Sequence, residues 1–330
     1  MPQHDIIVMG ASVGGITAIK TIVADLPENL PAAVFVVIHT TEDNPGRLPT
    51  LLNRVSKMPV LYAVHDTPVL PGRIYLARPG RHLLLERNRI SLSTGPRENR
   101  HRPAVDVLFR SAAQTYGSRV VGVVLTGNLD DGALGLAEIK VRKGVAIVQD
   151  PEDAYAPSMP RSALQAVDPD YVLPLQDIGP HLRSIVSSTL PEAAPVRLVP
   201  QPENGGKGHY SCPECGGALE EVESGPNLKF RCRVGHSYAA ESLVEDQADG
   251  IERALWAGIR SLEEHAEFCG RLERRFKSSN RWMLADRFGE RSGSAREHAK
   301  ILRELLDHAE QIRRETDPES ETAEATGTEG

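Results

Sequence analysis

The chain has 330 residues, 40% of them hydrophobic and 25% charged, with a formal net charge of −7 and four cysteines. This acidic balance argues against a general nucleic-acid binder, which needs a basic face to neutralise phosphates. No apolar run reaches the ~20 residues of a membrane span, and no basic-then-apolar leader opens the chain. A cytoplasmic protein of two domains, without membrane insertion, is the expectation.

The first stretch of interest is IIVMGASVGG, Ile6 to Gly15. Apolar residues that end abruptly in glycines around a serine read as a buried strand turning sharply into a helix, with Ser12 on the turn. Gly10, Ser12 and Gly14 fit G-x-S-x-G, the spacing of a nucleophile elbow. On the motif alone, a phosphate-binding or merely tight turn is the commoner reading. Further strands are expected at Ala33 to His39, Arg73 to Ala77, His82 to Glu86, Val120 to Thr126 and Gly144 to Gln149. Helices are expected at Ile16 to Asp25, Arg47 to Val55, Val105 to Tyr116, Gly132 to Arg142 and Ser162 to Ala166. Fully apolar strands alternating with helices predict an α/β fold with a doubly wound, mostly parallel sheet. The proline-rich segment Val60 to Ser93 reads as an antiparallel insertion or an edge.

Residues 1–188 form this first domain, and 189–208 read as a Pro/Gly-rich linker with no apolar period. A small cysteine module follows at 209–240, then an α-helical hairpin at 241–314. The hairpin stripes, from Leu243 through Ile251, Cys269 and Phe276 and from Ala295 to Ile312, fall at three- and four-residue spacing. They are expected to pack on each other, with a dimer seam as the alternative. The tail 315–330 is acidic with nothing to bury, and disorder is expected.

In an open parallel sheet, functional groups collect beyond the C-terminal ends of strands. Two partners for Ser12 stand there: His39 ends AVFVVIH, and VVGVVLTGNLDDG ends in Asp130 and Asp131. Nucleophile, general base and orienting carboxylate are the residue types of a serine-esterase triad. The order Ser, His, Asp differs from the Ser, Asp, His of α/β-hydrolases, and GASVGG is not the GxGxxG of a dinucleotide site.

GASVGG, the strand-end His39, NRHRPAVDVLF (Asn99 to Phe109), LTGNLDDGALG (Leu125 to Gly135) and PSMPRSAL (Pro157 to Leu164) together resemble the catalytic domain of the chemotaxis methylesterase CheB. The resemblance spans nearly all of residues 5 to 185, in the same order. It implies hydrolysis of glutamyl methyl esters on chemoreceptor helices, with glutamine deamidation as an associated activity and no catalytic cofactor. Carried over residue by residue, Ser12 is the nucleophile, His39 the base and Asp131 the orienting acid. The backbone N–H groups of Val13 and Asn128 form the oxyanion hole. Arg100, Arg102 and Arg161 become candidates for gripping an acidic receptor helix, with ordinary surface ion pairing as the alternative.

Some positions depart from the family pattern. Thr40-Thr41 replace a Met-Pro after the histidine, and Asp130-Asp131-Gly132 replaces Asn-Asp-Gly. Asp130 then competes for the role of triad acid, its plainer role being to cap the following helix. Full-length members resemble a phospho-receiver joined to this domain, whereas here the catalytic strand begins at the start of the chain. No receiver is expected, and control falls to other signalling proteins or to the C-terminal region. Two readings of another class remain: a binding module that holds the helix without turnover, and an esterase for a small molecule.

In the cysteine module, Cys212-x2-Cys215 and, sixteen residues on, Cys232-x3-His236 supply four ligands of the kind that close a tetrahedral Zn²⁺ site. A structural, zinc-ribbon-like site is the expectation, with an iron–sulfur centre or free thiols as alternatives. Cys269 reads as a small core hydrophobe.

Overall fold

The computed structural model describes residues 4–39, 46–86, 88–187, 210–224 and 227–316. The expected linker 189–208, the Thr40-Thr41 departure and the tail beyond residue 316 lie outside the described residues. The chain divides into two compact units, Met1–Val244 and Glu245–Gly330.

The first unit is built on β1 (Ile6–Ala11), β2 (Ala33–Ile38), β3 (Val60–Tyr62), β4 (Arg73–Leu76), β7 (Val120–Val124), β8 (Val145–Gln149) and β9 (Tyr171–Leu173). These form a seven-stranded sheet in the order β3-β4-β2-β1-β7-β8-β9. Every neighbouring pair in it is parallel. A short hairpin, β5 (His82–Glu86) and β6 (Arg89–Ser93), stands apart as an antiparallel pair. The Val60 to Ser93 segment is thus both things at once: its first half forms a parallel edge and its second half an antiparallel insertion.

Strand side chains alternate between two buried layers, as a sheet covered on both faces requires. Ile7, Met9 and Ala11 of β1 and Val34, Val36 and Ile38 of β2 pack with α1 (Gly15–Asp25) and α6 (Leu175–Ser187). Ile6 and Val8, with Ala33, Phe35 and Val37, pack with α3 (Val105–Tyr116) and α4 (Ala133–Val141). The short α2 (Leu48–Asn53) buries Leu52 on the α1 side, and α5 (Ser158–Ala166) buries Met159 and Ala163 on the α3 side. A Cβ on Gly10 would lie 2.2 Å from Val105 Cγ1, so this glycine lets the first turn of α3 lie directly on the end of β1.

The cysteine module belongs to the same compact unit. Its four-stranded antiparallel sheet runs in order through β10 (Tyr210–Ser211), β11 (Ala218–Ser224), β12 (Asn227–Cys232) and β13 (Ser237–Ala239). Its own core is small: Cys212, Leu219, Phe230, Cys232, Tyr238 and Leu243. A segment with so little apolar surface needs a metal, or a neighbour to dock on, in order to fold.

The helices α7 (Ala240–Ser278) and α8 (Trp282–Thr316) carry the second unit. Ile259, Ala266 and Cys269 on one helix and Ala285, Ala295, Ala299 and Leu306 on the other are buried. Phe276 stacks on Phe288, and Ser292 Oγ donates to the Ala266 carbonyl at 2.8 Å. The predicted stripes are only partly the packed faces: Leu243 belongs to the cysteine module's core, while Ile251 and Leu305 are exposed.

Candidate active site

The strands β2, β1 and β7 lie side by side, and each of the three expected residues follows the C-terminal end of one of them. Ala11 of β1 is in register with Ile38 of β2, and the His39 N–H donates to the Ala11 carbonyl at 3.1 Å. Ser12 and His39 are therefore the next pair along two strands ~4.8 Å apart. Since Ala11 and Ile38 both face the α1 layer, strand alternation carries Ser12 and His39 to the other face, where α3 begins.

Past Ser12 the chain turns sharply. Gly14 takes φ 74° as the N-cap of α1, and the Ser12 N–H donates to the Thr126 carbonyl at 3.0 Å, tying the elbow to the loop after β7. A Cβ on Gly127 would lie 2.7 Å from Ser12 Cβ, so the glycine brings that loop, with Asn128 next in sequence, against the serine. The Gly127 N–H is spent on the Ala156 carbonyl. Among the described residues, the N–H groups of Val13 and Asn128 and the Ser12 hydroxyl enter no hydrogen bond.

Asp131 is buried at the N-terminus of α3. One carboxylate oxygen accepts from His39 Nε2 at 2.7 Å and from the Val105 N–H at 2.6 Å. The other accepts from Asn99 Nδ2 at 2.9 Å and the Asp106 N–H at 3.0 Å. Val105 and Asp106 open the helix, and their free N–H groups and the helix dipole make an anion site. Burial works to raise the Asp131 pKa, but the hydrogen bonds from His39 and the Asp106 N–H outweigh it, holding the carboxyl well below its ordinary value. Because an ionised carboxylate only accepts, His39 Nε2 must carry the proton of the neutral ring. The buried Nδ1, which has no hydrogen-bond partner, is then the basic nitrogen.

Three further residues complete this shell. His101 stacks on His39 with ring centroids 3.5 Å apart. Burial, with His39 beside it, pushes the His101 pKa down to about 3, so it lies neutral against the base. Asp106 accepts from Asn99 Nδ2 at 2.8 Å and from the N–H groups of Gly132 and Gly135, at 3.0 and 2.7 Å, thereby capping α4. Burial and the neighbouring carboxylates raise it to about 7. Asn99, His101 and Asp106 all lie in the NRHRPAVDVLF segment quoted for the resemblance, but nothing in that segment gives Asp106 a role in the site.

Asp130 stands beside this centre in a different role. Its carboxylate caps not the helix that follows, α4, but α7, accepting from the Ser242 hydroxyl and from the N–H groups of Glu241 and Ser242. A side chain that satisfies free N–H groups at a helix start does not need to belong to the neighbouring helix. The candidate arginines scatter. Arg102 donates to the carbonyls of Thr94 and Gly95, at 3.3 and 3.0 Å. Arg161 lies 3.8 Å from Glu152 on the surface, and Arg100 is half-buried next to His101.

In the cysteine module, the ligand atoms of Cys212, Cys215, Cys232 and His236 lie within 4.8 Å of one another. Cys215 Sγ is 3.7 Å from Cys232 Sγ, and His236 Nδ1 is 3.7 Å from Cys212 Sγ and 3.5 Å from Cys232 Sγ. A disulfide needs ~2.05 Å. A tetrahedron with metal–sulfur bonds of ~2.3 Å has edges of roughly 3.8 Å, which these separations match. Among the described residues no helix is long and apolar enough to cross a membrane.

Known proteins resemble this chain in sequence and fold. A relative from Leptospira interrogans, whose name carries the activities protein-glutamate methylesterase and protein-glutamine glutaminase, is 40% identical over 178 residues, 54% of this chain and 92% of that one. The protein-glutamate methylesterase/protein-glutamine glutaminase of Hydrogenovibrio crunogenus is 38% identical over 189 residues, 56% of this chain but only 50% of that protein. The crystal structure of the Thermotoga maritima CheB methylesterase catalytic domain superposes with a TM-score of 0.53 at 33% identity, covering 56% of this chain and 99% of that one. The profile of the CheB methylesterase family matches residues 7–182, from the strand before the elbow to α6. That segment is more than half of the molecule and includes every strand end described above, and the chain belongs to the CheB methylesterase family.

Proposed function

We propose that this protein is a protein-glutamate methylesterase that hydrolyses glutamyl methyl esters on chemoreceptor helices, with glutamine deamidation by the same route, and that it works in the cytoplasm. The observation that carries the reading is the line from the Ser12–His39 register pair to Asp131, whose carboxylate fixes the histidine with Nδ1 unprotonated. Serine is a weak nucleophile at neutral pH. His39 Nδ1 takes the proton from Ser12 Oγ as the oxygen attacks the ester carbonyl, and Asp131 stabilises the imidazolium. The Val13 and Asn128 N–H groups receive the tetrahedral oxyanion. The imidazolium returns its proton to the departing methoxide, methanol leaves, and water enters in place of the alcohol to release the carboxylate and free Ser12. An amide takes the same path, with ammonia as the leaving group.

We also infer that Cys212, Cys215, Cys232 and His236 hold a structural Zn²⁺. Three soft thiolates and an imidazole at tetrahedral spacing suit zinc, and with all four positions protein-filled the ion has no opening for substrate.

The test of the reaction is methanol release from methylated receptor, with a fluorophosphonate probe as a second readout. Wild-type protein should release methanol and label, and Ser12→Ala should do neither while keeping its fold. Turnover by Ser12→Ala would overturn the assignment. A wild-type protein that neither labels nor turns over would favour a binding module instead.

A further inference from the structure

Resting on that triad reading, we propose that Asn99 is a positioning residue for Asp131 and that the metal-bound cysteine module is the clamp that holds Asn99 in place. Asn99 is 1% exposed and sits in the left-handed region at φ 50°, a conformation asparagine tolerates better than most residues. Its side-chain amide faces two carboxylates, with one N–H on Asp131 and the other on Asp106, at 2.9 and 2.8 Å. A flipped amide would set its oxygen against the ionised Asp131. What holds the correct orientation is the remaining atom: Asn99 Oδ1 accepts the N–H of Ala239, in β13, at 2.8 Å. The backbone N–H of Asn99 donates to the carbonyl of Ser237, on the same strand, at 2.9 Å.

The start of β13 is fixed by the metal ligands. Ser237 directly follows His236, whose carbonyl accepts the Cys232 N–H at 3.0 Å. Closing the ligand set therefore places Ser237 and Ala239, and these two place Asn99. The module is seated by other buried contacts as well. Lys229 Nζ donates to Glu98 at 2.6 Å, and the first turn of α7 is capped by Asp130, the residue next to the triad acid. Both sequence neighbours of the chemistry, Glu98-Asn99 and Asp130, are gripped from the C-terminal side. Without metal the small module loses its fold, β13 leaves, and Asp131 loses an oriented donor.

The experiment compares kcat and KM of the zinc-loaded full chain, its chelated form and its zinc-restored form, in wild type and in Asn99→Ala. A hydrogen bond to a charged group is worth ~10- to 100-fold. Asn99→Ala should lower kcat by about that factor with KM unchanged. Chelation should lower wild-type kcat comparably and reversibly, yet add little in Asn99→Ala, because both act on one contact. Wild-type kcat in Asn99→Ala, or in the chelated protein, would overturn the inference, as would effects that multiply. An inactive Ser12→Ala beside a fully active Asn99→Ala would sink this inference alone, whereas an active Ser12→Ala would sink the triad itself.

Discussion

Replacing Asp131 by asparagine changes one oxygen for an NH₂ and leaves the shape intact, so it isolates the electrostatics of the acid. Both carboxylate oxygens are met only by donors: His39 Nε2 and the Val105 N–H on one, Asn99 Nδ2 and the Asp106 N–H on the other. Wherever the new amide nitrogen goes, it confronts two of them. If it turns toward His39, the ring must move its proton to Nδ1 and ceases to be a base toward Ser12. If it turns away, it opposes Asn99 and the start of α3, and the buried clash costs on the order of 2 kcal/mol of stability. Loss of the orienting carboxylate in a serine triad costs about 10⁴ in kcat, about 5 kcal/mol of transition-state stabilisation. Methanol release from methylated receptor measures the first effect and urea unfolding the second. An Asp131→Asn variant within tenfold of wild-type kcat would refute the assignment of this residue.

Gly10→Ala places a methyl against Val105 Cγ1 and should destabilise the fold by about 1 to 3 kcal/mol. It should also lower kcat as the Val105 N–H is pushed off Asp131; thermal unfolding beside a rate measurement checks both. Glu98 gives a pH signature. Burial opposes its charge, but the Arg110 hydrogen bonds and the Lys229 charge prevail, taking it from 4.5 to about 2. A carboxyl lowered by folding stabilises above its unfolded pKa, here by about 3 kcal/mol, and that contribution should fade as pH falls from about 5 toward 2. Urea midpoints across that range should drop more for wild type than for Glu98→Gln, and equal drops would count against the buried pair. Finally, Cys215→Ser should lose the roughly one Zn²⁺ per chain expected of the purified protein, and metal analysis finding none in wild type would dismiss the site.

Much of this architecture is legible in the residues themselves. Runs such as VVGVV announce central parallel strands because both faces are buried, and α3 is expected at its observed limits because its apolar stripe is regular. The edges were harder to read. The three-residue strands β3 and β9 are too short to show a period, and α6 carries no clear helical signal because Gly179 and Pro180 punctuate it. The same division holds at the site. Ser12 and His39 stand out by residue type at strand ends, whereas residue type alone leaves Asp130 beside Asp131, and the hydrogen bonds to His39 and to Ser242 tell the two apart. The roles of Asn99 and Asp130 depend on partners 140 and 112 residues away in sequence, Ala239 and Ser242, and no local pattern encodes such a meeting.

The register between β1 and β2 separates two things an enzyme usually has to tune together. Ser12 and His39 owe their spacing to a ladder of peptide hydrogen bonds, the least adjustable ruler in the molecule. Surface segments that meet a substrate can therefore lengthen, shorten or change charge under selection without detuning the nucleophile from its base. Recognition is then free to change while the geometry at Ser12 and His39 stays constant.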